Sequence, residues 1–300
     1  VATSNTAIMC GAKIDFVDID KETLNICPKE LENKLIDAKK KKCLPKVLTV
    51  THMGGQSAQM KEISSLSREY HFKIIEDASH AIGGKYLNKK IGSSFYSDIT
   101  IFSFHPVKVM TSGEGGALLT NSPLVNKKAQ LLRTHGITKE DLTINEGPWY
   151  YEQHELGFNY RMTDLQAALG ISQLKRLDKF IKKRNSIANL YQTLFDKEKI
   201  NYIKVKNNIY SSYHLFIIKV NPDKRKNIFE KLKEKGIGVQ IHYFPVHLQP
   251  YYKKIGSWKL KNAEEVYKEI ISIPIYYSLT KKEVFYIVEK IKETLEKNSN

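Results

Sequence analysis

Residues 99–121 read ITIFSFHPVKVMTSGEGGALLTN, and this stretch is the most informative one for predicting the fold. Its apolar runs Ile99–Phe104 and Gly116–Thr120 predict two strands. Ser103, near the end of the first strand, is suited to bind a phosphate. Lys108 follows, and its amine could form a Schiff base, although a lone lysine is weak evidence in a lysine-rich chain. The glycines between the strands form neither a Walker A loop nor a GxGxxG motif, and they are also compatible with a tight hairpin.

Strands and helices alternate on the N-terminal side of this stretch. Such alternation predicts an α/β domain with a largely parallel sheet, in which ligands bind at the carboxyl ends of the strands. The predicted elements are strands Lys13–Val17, Val47–His52 and Phe72–Glu76 and helices Pro28–Lys40 and Met60–His71.

Helical patterns and a long loop follow the glycine-rich stretch. A helix at 123–135 precedes a loop at 136–160, and a long helical pattern at Thr163–Asp196 begins with a capping box. From about residue 200 the pattern is that of a smaller α+β unit, so we expect a large domain at 1–180 and a small one at 181–300. The later predicted elements are strands Tyr210–Val220, Val239–Tyr243 and Ile271–Ile275 and helices Asn221–Lys235 and Thr280–Lys297.

Composition narrows the classes of function. The chain has 300 residues, a net charge of +16 and three cysteines. No apolar run is long enough to span a bilayer, and the cysteines lack metal-site or disulfide spacing, which predicts a cytoplasmic protein without a metal. The lysines are dispersed over predicted helix surfaces and do not form a basic arm with interleaved aromatics, so we expect no nucleic-acid partner.

The cluster EDASH at 76–80 follows another apolar run. It places Asp77 and His80 just past the carboxyl end of a strand. A carboxylate there is suited to hold a protonated ring nitrogen, as the pyridine of a pyridoxal cofactor requires. A turn or a helix N-cap is the simpler interpretation of this motif alone.

Taken together, these motifs occur in the order that a pyridoxal enzyme uses them. EDASHAIGGKY, SDITIFSFHPVK and TSGEGGALLTN resemble the DegT/DnrJ/EryC1/StrS family of sugar aminotransferases. The resemblance implies a fold-type I pyridoxal 5'-phosphate (PLP) enzyme, with Lys108 as the Schiff-base lysine and Asp77 paired with the ring nitrogen. It also implies that Ser103 binds the cofactor phosphate and that His80 lies near the ring. Because some relatives with histidine at the lysine position are dehydratases, Lys108 favours transamination.

Two later segments extend the resemblance. LGFNYRMTD at 156–164 resembles a segment that the family donates to a partner subunit, which implies a homodimer in which Asn159 reaches the neighbour's cofactor phosphate. A turn residue before a helix is the alternative for Asn159. GIGVQIHYFPVH at 236–247 resembles a substrate-binding stretch, and ordinary strand and turn packing is the alternative for its histidines. The substrate contacts implied are Ser103, His242, Tyr243, Phe244, Pro245, Val246 and His247.

The resemblance also implies a reaction. The motifs are most similar to those of family members in pseudaminic acid biosynthesis, which predicts amino transfer from L-glutamate to C4 of a UDP-linked 4-keto-6-deoxy-N-acetylhexosamine. Val1–Asn5 aligns with an interior segment of the family's large domain, so we expect the N-terminal part of that domain to be missing. A non-catalytic remnant that acts at most as an interaction partner is the alternative hypothesis.

Overall fold

The first sheet has three parallel strands and one antiparallel strand, and its strands lie side by side in chain order. The computed structural model describes residues 1–140, 142–144 and 146–297. The strands are β1 (Val47–Thr51), β2 (Lys73–Asp77), β3 (Ile99–Ser103) and β4 (Gly116–Leu119). The largely parallel sheet predicted from the alternating pattern is thereby confirmed, and the glycine-rich segment returns antiparallel to the third strand, as in the hairpin alternative.

Helices before, between and after these strands complete the N-terminal half. Leu31 and Leu35, four residues apart on one helix face, are buried against the sheet, and Ile63 and Leu66 of the next helix are buried in the same core. The helices are α1 (Ala2–Met9), α2 (Pro28–Lys40), α3 (Met60–Tyr70), α4 (Pro123–Arg133), α5 (Asp164–Leu174) and α6 (Leu177–Glu198). The predicted capping box at Thr163 is present, and the long helical pattern divides in two at Lys175 and Arg176.

A second, two-stranded antiparallel sheet lies in the C-terminal half. Its strands pack with the helices at 225–234 and 281–296 in a core to which Ile187, Tyr191 and Phe195 of α6 contribute, and two further helices lie in the same half. These elements are β5 (Phe216–Lys219), α7 (Arg225–Glu234), α8 (Pro250–Ile255), α9 (Lys261–Glu269), β6 (Ile270–Ile273) and α10 (Lys281–Glu296).

Two predicted strands are wrong. Lys13–Val17 joins no sheet, because its polar side chains bind other segments: Asp15 accepts a hydrogen bond from Trp258 Nε1 at 2.9 Å. Val239–Tyr243 pairs only through an isolated bridge between Gln240 and Ser272. Both segments have the alternation of strands, but neither forms a ladder: a side-chain contact is made in the first and a single backbone bridge in the second.

The predicted strand Tyr210–Val220 is interrupted: Tyr210 ends a short strand that pairs with Lys85, and the strand of the second sheet begins only at Phe216. Residues 211–215 pair instead with a glycine turn of the first half: Ser212 N donates to Gly55 O and Leu215 N to Gly54 O, both at 3.1 Å. Gly55 has φ +99°, and a Cβ there would lie 2.3 Å from Ser212 Oγ, so this approach requires glycine. The segment therefore binds the two halves of the chain together.

Helix α6 belongs to both halves. Phe180 and Ile181 pack with Phe102 of the first sheet, whereas Ile187 and later residues pack in the second core. A domain boundary at 180/181 falls inside this helix and stays a prediction, and the last three residues of the predicted small domain lie outside the described range. No helix in the described residues is long and apolar enough to cross a membrane.

Candidate active site

The carboxyl ends of β2 and β3 lie side by side at one edge of the first sheet. Asp77, the last residue of β2, is in register with Ile101, and Ser103 ends β3 opposite Gly116 of β4. The parallel arrangement therefore brings the two predicted site strands to the same edge, where ligands bind in α/β sheets.

Three hydrogen-bond donors fix the carboxylate of Asp77. Oδ1 accepts from the amide and hydroxyl of Ser79, at 3.2 and 2.6 Å, and Oδ2 accepts from Thr3 Oγ1 at 2.6 Å. Burial alone raises the pKa of this carboxyl, but the hydrogen bonds from Ser79 and Thr3 outweigh burial and hold the pKa below its usual range. Asp77 is thus an oriented anion, as the partner of a cationic ring nitrogen must be.

Lys108 lies on the turn between β3 and β4. Its amide donates to His105 O at 2.9 Å, and Phe104 O accepts from Ser112 N at 3.0 Å and from Thr111 Oγ1 at 2.8 Å, which closes the turn. Burial lowers the pKa of the Lys108 amine, and the charge of Asp77 partly opposes that effect. Lys108 as a whole is half-buried.

The glycines of TSGEGG serve the hairpin rather than a phosphate loop of known type. A Cβ on Gly116 would lie 2.7 Å from Phe102 O, within the ladder of β3 and β4. A Cβ on Gly115, whose φ is +148°, would lie 2.6 Å from Ser112 Oγ. Close contacts therefore explain Gly115 and Gly116, and the contact of Gly116 within the ladder agrees with the hairpin alternative.

His80 is buried beside the same edge. Its ring lies 4.4 Å, centroid to centroid, from the ring of His214, and its Nε2 is 3.4 Å from the hydroxyl of Tyr243. Nδ1 of His80 has no hydrogen-bond partner among the described residues. Burial and the positive charge of Lys108 lower the pKa of His80 to about 3.

The predicted substrate stretch divides into two segments. His242 Nδ1 is 2.8 Å from Ser272 Oγ. Burial, and after it the positive charge of Lys108, lowers the pKa of the His242 imidazole. The hydroxyl of Tyr243 lies 3.4 Å from Nε2 of His80. These two side chains therefore belong to the surroundings of Lys108.

In the rest of the stretch, Phe244 and His247 contact helix α9. Phe244 packs edge-on against Tyr267, Pro245 is buried and Val246 is half-buried. His247 is buried, with Nε2 2.9 Å from Glu264 Oε1. These contacts favour the packing alternative for His247, and the substrate role of all four residues stays a prediction.

Ser103 and Asn159 are placed differently. Ser103 is half-buried at the sheet edge, and its hydroxyl accepts one long hydrogen bond, from His105 N at 3.4 Å. Asn159 is exposed and bridges Thr134 through its backbone; among the described residues its side chain has no hydrogen bond to the Lys108 cluster of its own chain. Both roles stay predictions.

Three contributors to the site were not predicted: Thr3, Ser79 and His214. Ser79 lies within the EDASH motif, so its hydroxyl was visible beside Asp77. Thr3 and His214 reach the site from positions remote in sequence, and no local pattern marks them.

The residues present fit a pyridoxal cofactor. The oriented Asp77 carboxylate matches a protonated ring nitrogen, the Lys108 amine is within electrostatic range of it, and the unpartnered Nδ1 of His80 is a buried polar atom left for a ligand among the residues that the structure describes. Donor chemistry and burial are the grounds for this fit.

Comparison with known proteins identifies the class. The model of the DegT/DnrJ/EryC1/StrS aminotransferase family matches residues 1–292. The fold and the site thus define a fold-type I aminotransferase, and the chain belongs to the DegT/DnrJ/EryC1/StrS aminotransferase family. The family and fold expected from the motifs are confirmed, and membership implies PLP as cofactor.

The chain is similar over nearly its whole length to individual members whose sequences or structures are known. The chain is 41% identical over 301 residues to the UDP-4-amino-4,6-dideoxy-N-acetyl-beta-L-altrosamine transaminase of Campylobacter jejuni, a match covering 99% of this chain and 77% of the relative. It is similar to Helicobacter pylori PseC, an aminotransferase involved in the biosynthesis of pseudoaminic acid, with TM-score 0.90, 31% identity and coverage of 99% and 77%. The PLP form of Spr1654 from Streptococcus pneumoniae is similar with TM-score 0.85, 26% identity and coverage of 99% and 78%.

Proposed function

We propose that this aminotransferase moves the amino group of L-glutamate to C4 of a UDP-linked 4-keto-6-deoxy-N-acetylhexosamine, in pseudaminic acid biosynthesis. The observation that carries the proposal is the meeting of Asp77, Lys108 and His80 at one sheet edge. The similarity to the Campylobacter jejuni transaminase supports the choice of substrate.

The roles of the side chains follow from their surroundings. When bound, PLP supplies an electron sink for the carbon that loses its proton. Asp77 holds the ring nitrogen protonated, because three donors keep its carboxylate ionised. Lys108, whose pKa burial lowers, takes and returns the proton between the substrate carbon and its own Nζ. Ser103 binds the cofactor phosphate in this proposal.

The substrate is held by the stretch that begins at His242. Burial and the charge of Asp77 raise the pKa of the Tyr243 phenol, so its hydroxyl stays protonated and able to donate at neutral pH. The net charge of +16 favours approach of an anionic UDP-sugar and of glutamate. Phe244, Pro245, Val246 and His247 shape the remainder of this stretch in the proposal.

We also propose that two copies of the chain form a homodimer with shared active sites. Helix α5 is rich in apolar residues, yet none of them is buried within one chain, and Leu165 is 85% exposed. The preceding segment exposes Leu156 by 89% and Tyr160 by 71%. Large exposed apolar side chains are typical of interfaces, and this segment carries Asn159, which in this proposal reaches the partner's cofactor phosphate. The cytoplasmic location stays a prediction.

A visible absorption spectrum tests the reaction. We expect the purified chain to bind PLP with a new visible band that disappears when L-glutamate is added, and the Lys108→Ala variant to show no such change. Lys261→Ala, which removes an exposed lysine, is the control and should behave like the parent. A chain without the band, or a band that ignores glutamate, would support the remnant hypothesis. Supplying the UDP-linked keto-sugar to the glutamate-treated protein then tests the acceptor, by mass spectrometry of the amino sugar.

A further inference from the structure

His214 is held in a defined place against the first half of the chain. Its segment is anchored by the backbone bonds of Ser212 and Leu215 to the glycine turn at Gly54 and Gly55. Ser212 Oγ also donates to the carbonyl of His80 at 2.6 Å. The two histidines are therefore fixed relative to each other by hydrogen bonds that involve neither imidazole.

The two imidazoles cover one another. Their centroids are 4.4 Å apart with an interplanar angle of 40°, and both residues are more than nine-tenths buried. Nδ1 of His214, like Nδ1 of His80, has no hydrogen-bond partner in the described residues of the chain. Packing on His80 thus accounts for the position of the His214 ring better than hydrogen bonding does.

Several charged or titratable groups face this pair. Asp77 favours a proton on His80, whereas the charges of Lys108 and His242 oppose one, and the Tyr243 hydroxyl lies 3.4 Å from Nε2 of His80. Behind His214, Arg184 of α6 adds another positive charge. Burial is the largest influence on both imidazoles, and it lowers the pKa of each.

A protonated His80 would compete with the ring nitrogen of the cofactor for the carboxylate of Asp77. It stands three residues from Asp77, and the two groups attract each other when His80 carries a proton. The same carboxylate is the proposed partner of the cationic ring nitrogen. A carboxylate already neutralised by a neighbouring imidazolium holds a second cation less strongly.

We propose that His214 is a positioning residue that covers the imidazole of His80 and keeps it uncharged, so that the Asp77 carboxylate stays available to the ring nitrogen of PLP. The link to PLP rests on the proposed function. The protonation state of His80 is a property of the chain itself and is tested without cofactor.

The first test is an NMR titration of isotopically labelled histidine rings in the full chain without cofactor, with the His80→Gln spectrum assigning the signal. We expect His80 to remain uncharged from pH 8 to about 5 in the parent. His214→Ala and His214→Asn, which both leave space for water, should bring its titration into that range, and His214→Phe, which preserves a covering ring, should not. An unchanged titration in whichever of the two smaller variants folds would overturn the proposal, as would a His80 that already titrates near pH 6.5 in the parent.

The second test measures the dissociation constant of PLP at pH 5.5 and at pH 8. On going to the lower pH, the affinity of the smaller His214 variants should fall about tenfold more than that of the parent, corresponding to a shift of about one pKa unit. Adding His80→Gln to such a variant should remove the extra loss. Equal pH dependence of parent and variants would contradict the link to Asp77. If the parent itself binds no PLP, the proposed function fails, whereas the NMR result still decides the role of His214.

Discussion

Thr3 donates a 2.6 Å hydrogen bond to Asp77 Oδ2, across 74 residues of sequence. Thr3 lies in the first turn of α1, and the next two side chains of that helix bind the hydroxyl of Tyr252, with Ser4 Oγ at 2.5 Å and Asn5 Oδ1 at 2.6 Å. Tyr252 is buried in α8, in the C-terminal half. The orientation of the carboxylate therefore depends on a helix that both halves of the chain hold in place.

Replacement of Thr3 tests this hydrogen bond. Thr3→Val keeps the shape of the side chain but removes the donor, and a hydrogen bond to a charged group contributes about 1.5–3 kcal/mol. We expect the dissociation constant of PLP to rise at least about tenfold and the pKa of Asp77 to rise, as measured by carboxyl NMR. Thr3→Ser retains the hydroxyl and should stay close to the parent. Equal affinity in the valine and serine variants would refute the role.

The buried histidines should make the fold sensitive to acid. Between its ordinary pKa of 6.5 and its folded value of about 3, His80 binds a proton in the unfolded chain but not in the folded one. The free energy of unfolding should therefore decrease as the pH falls below about 6.5, by up to about 1.4 kcal/mol per pH unit for this group. Urea denaturation at pH 7.5, 6 and 5 measures the slope.

Two variants separate His80 from other sources of acid sensitivity. His80→Gln should reduce the slope with pH, because the unfolded chain then has one fewer proton to gain. His71→Asn is the control: His71 is exposed in a left-handed conformation that asparagine tolerates, so its slope should match the parent. A slope that His80→Gln leaves unaltered would show that His80 is not the buried neutral base described above.

The apolar surface around α5 predicts the oligomeric state. Light scattering coupled to size-exclusion chromatography should give the mass of a dimer for the parent and of a monomer for Leu165→Glu, because a charge would then be buried in the proposed interface. Phe285→Glu, at an aromatic residue of α10 that is 52% exposed, is the control and should remain dimeric. A monomeric parent, or a dimeric Leu165→Glu, would argue against this interface.

Mixing two inactive variants tests whether the sites are shared. Lys108→Ala and Asn159→Ala should each lose most activity alone. If Asn159 serves the partner's site, a mixed dimer has one site with both residues intact, so unfolding and refolding an equal mixture should recover about a quarter of the parental activity. Activity no higher than the mean of the two single variants would indicate that Lys108 and Asn159 do not act across the subunit boundary.

The sequence predicts those features of the fold that depend on local pattern. Continuous apolar runs mark β2 and β3, and because parallel strands share an edge, Asp77 and Lys108 could be placed together. The capping box at Thr163 is likewise local.

The features that escaped prediction depend on partners far along the chain. The segments 13–17 and 239–243 alternate like strands, but Asp15 bonds to the distant Trp258 side chain, and the second segment pairs with the distant Ser272 through a single backbone bridge. Thr3 and His214 reach the site only because α1 and the segment at 211–215 pack where the tertiary fold brings them. Neither has a spacing rule that connects it to residues 77 or 80.

Covalent attachment of the cofactor at Lys108 is the step on which the proposed reaction most depends. The chain is incubated with PLP, reduced with sodium borohydride and digested, and the modified peptide is identified by mass spectrometry. We expect one dominant adduct, on Lys108, that is lost when L-glutamate is added before reduction. An adduct spread over exposed lysines, or one that glutamate does not prevent, would refute the role of Lys108.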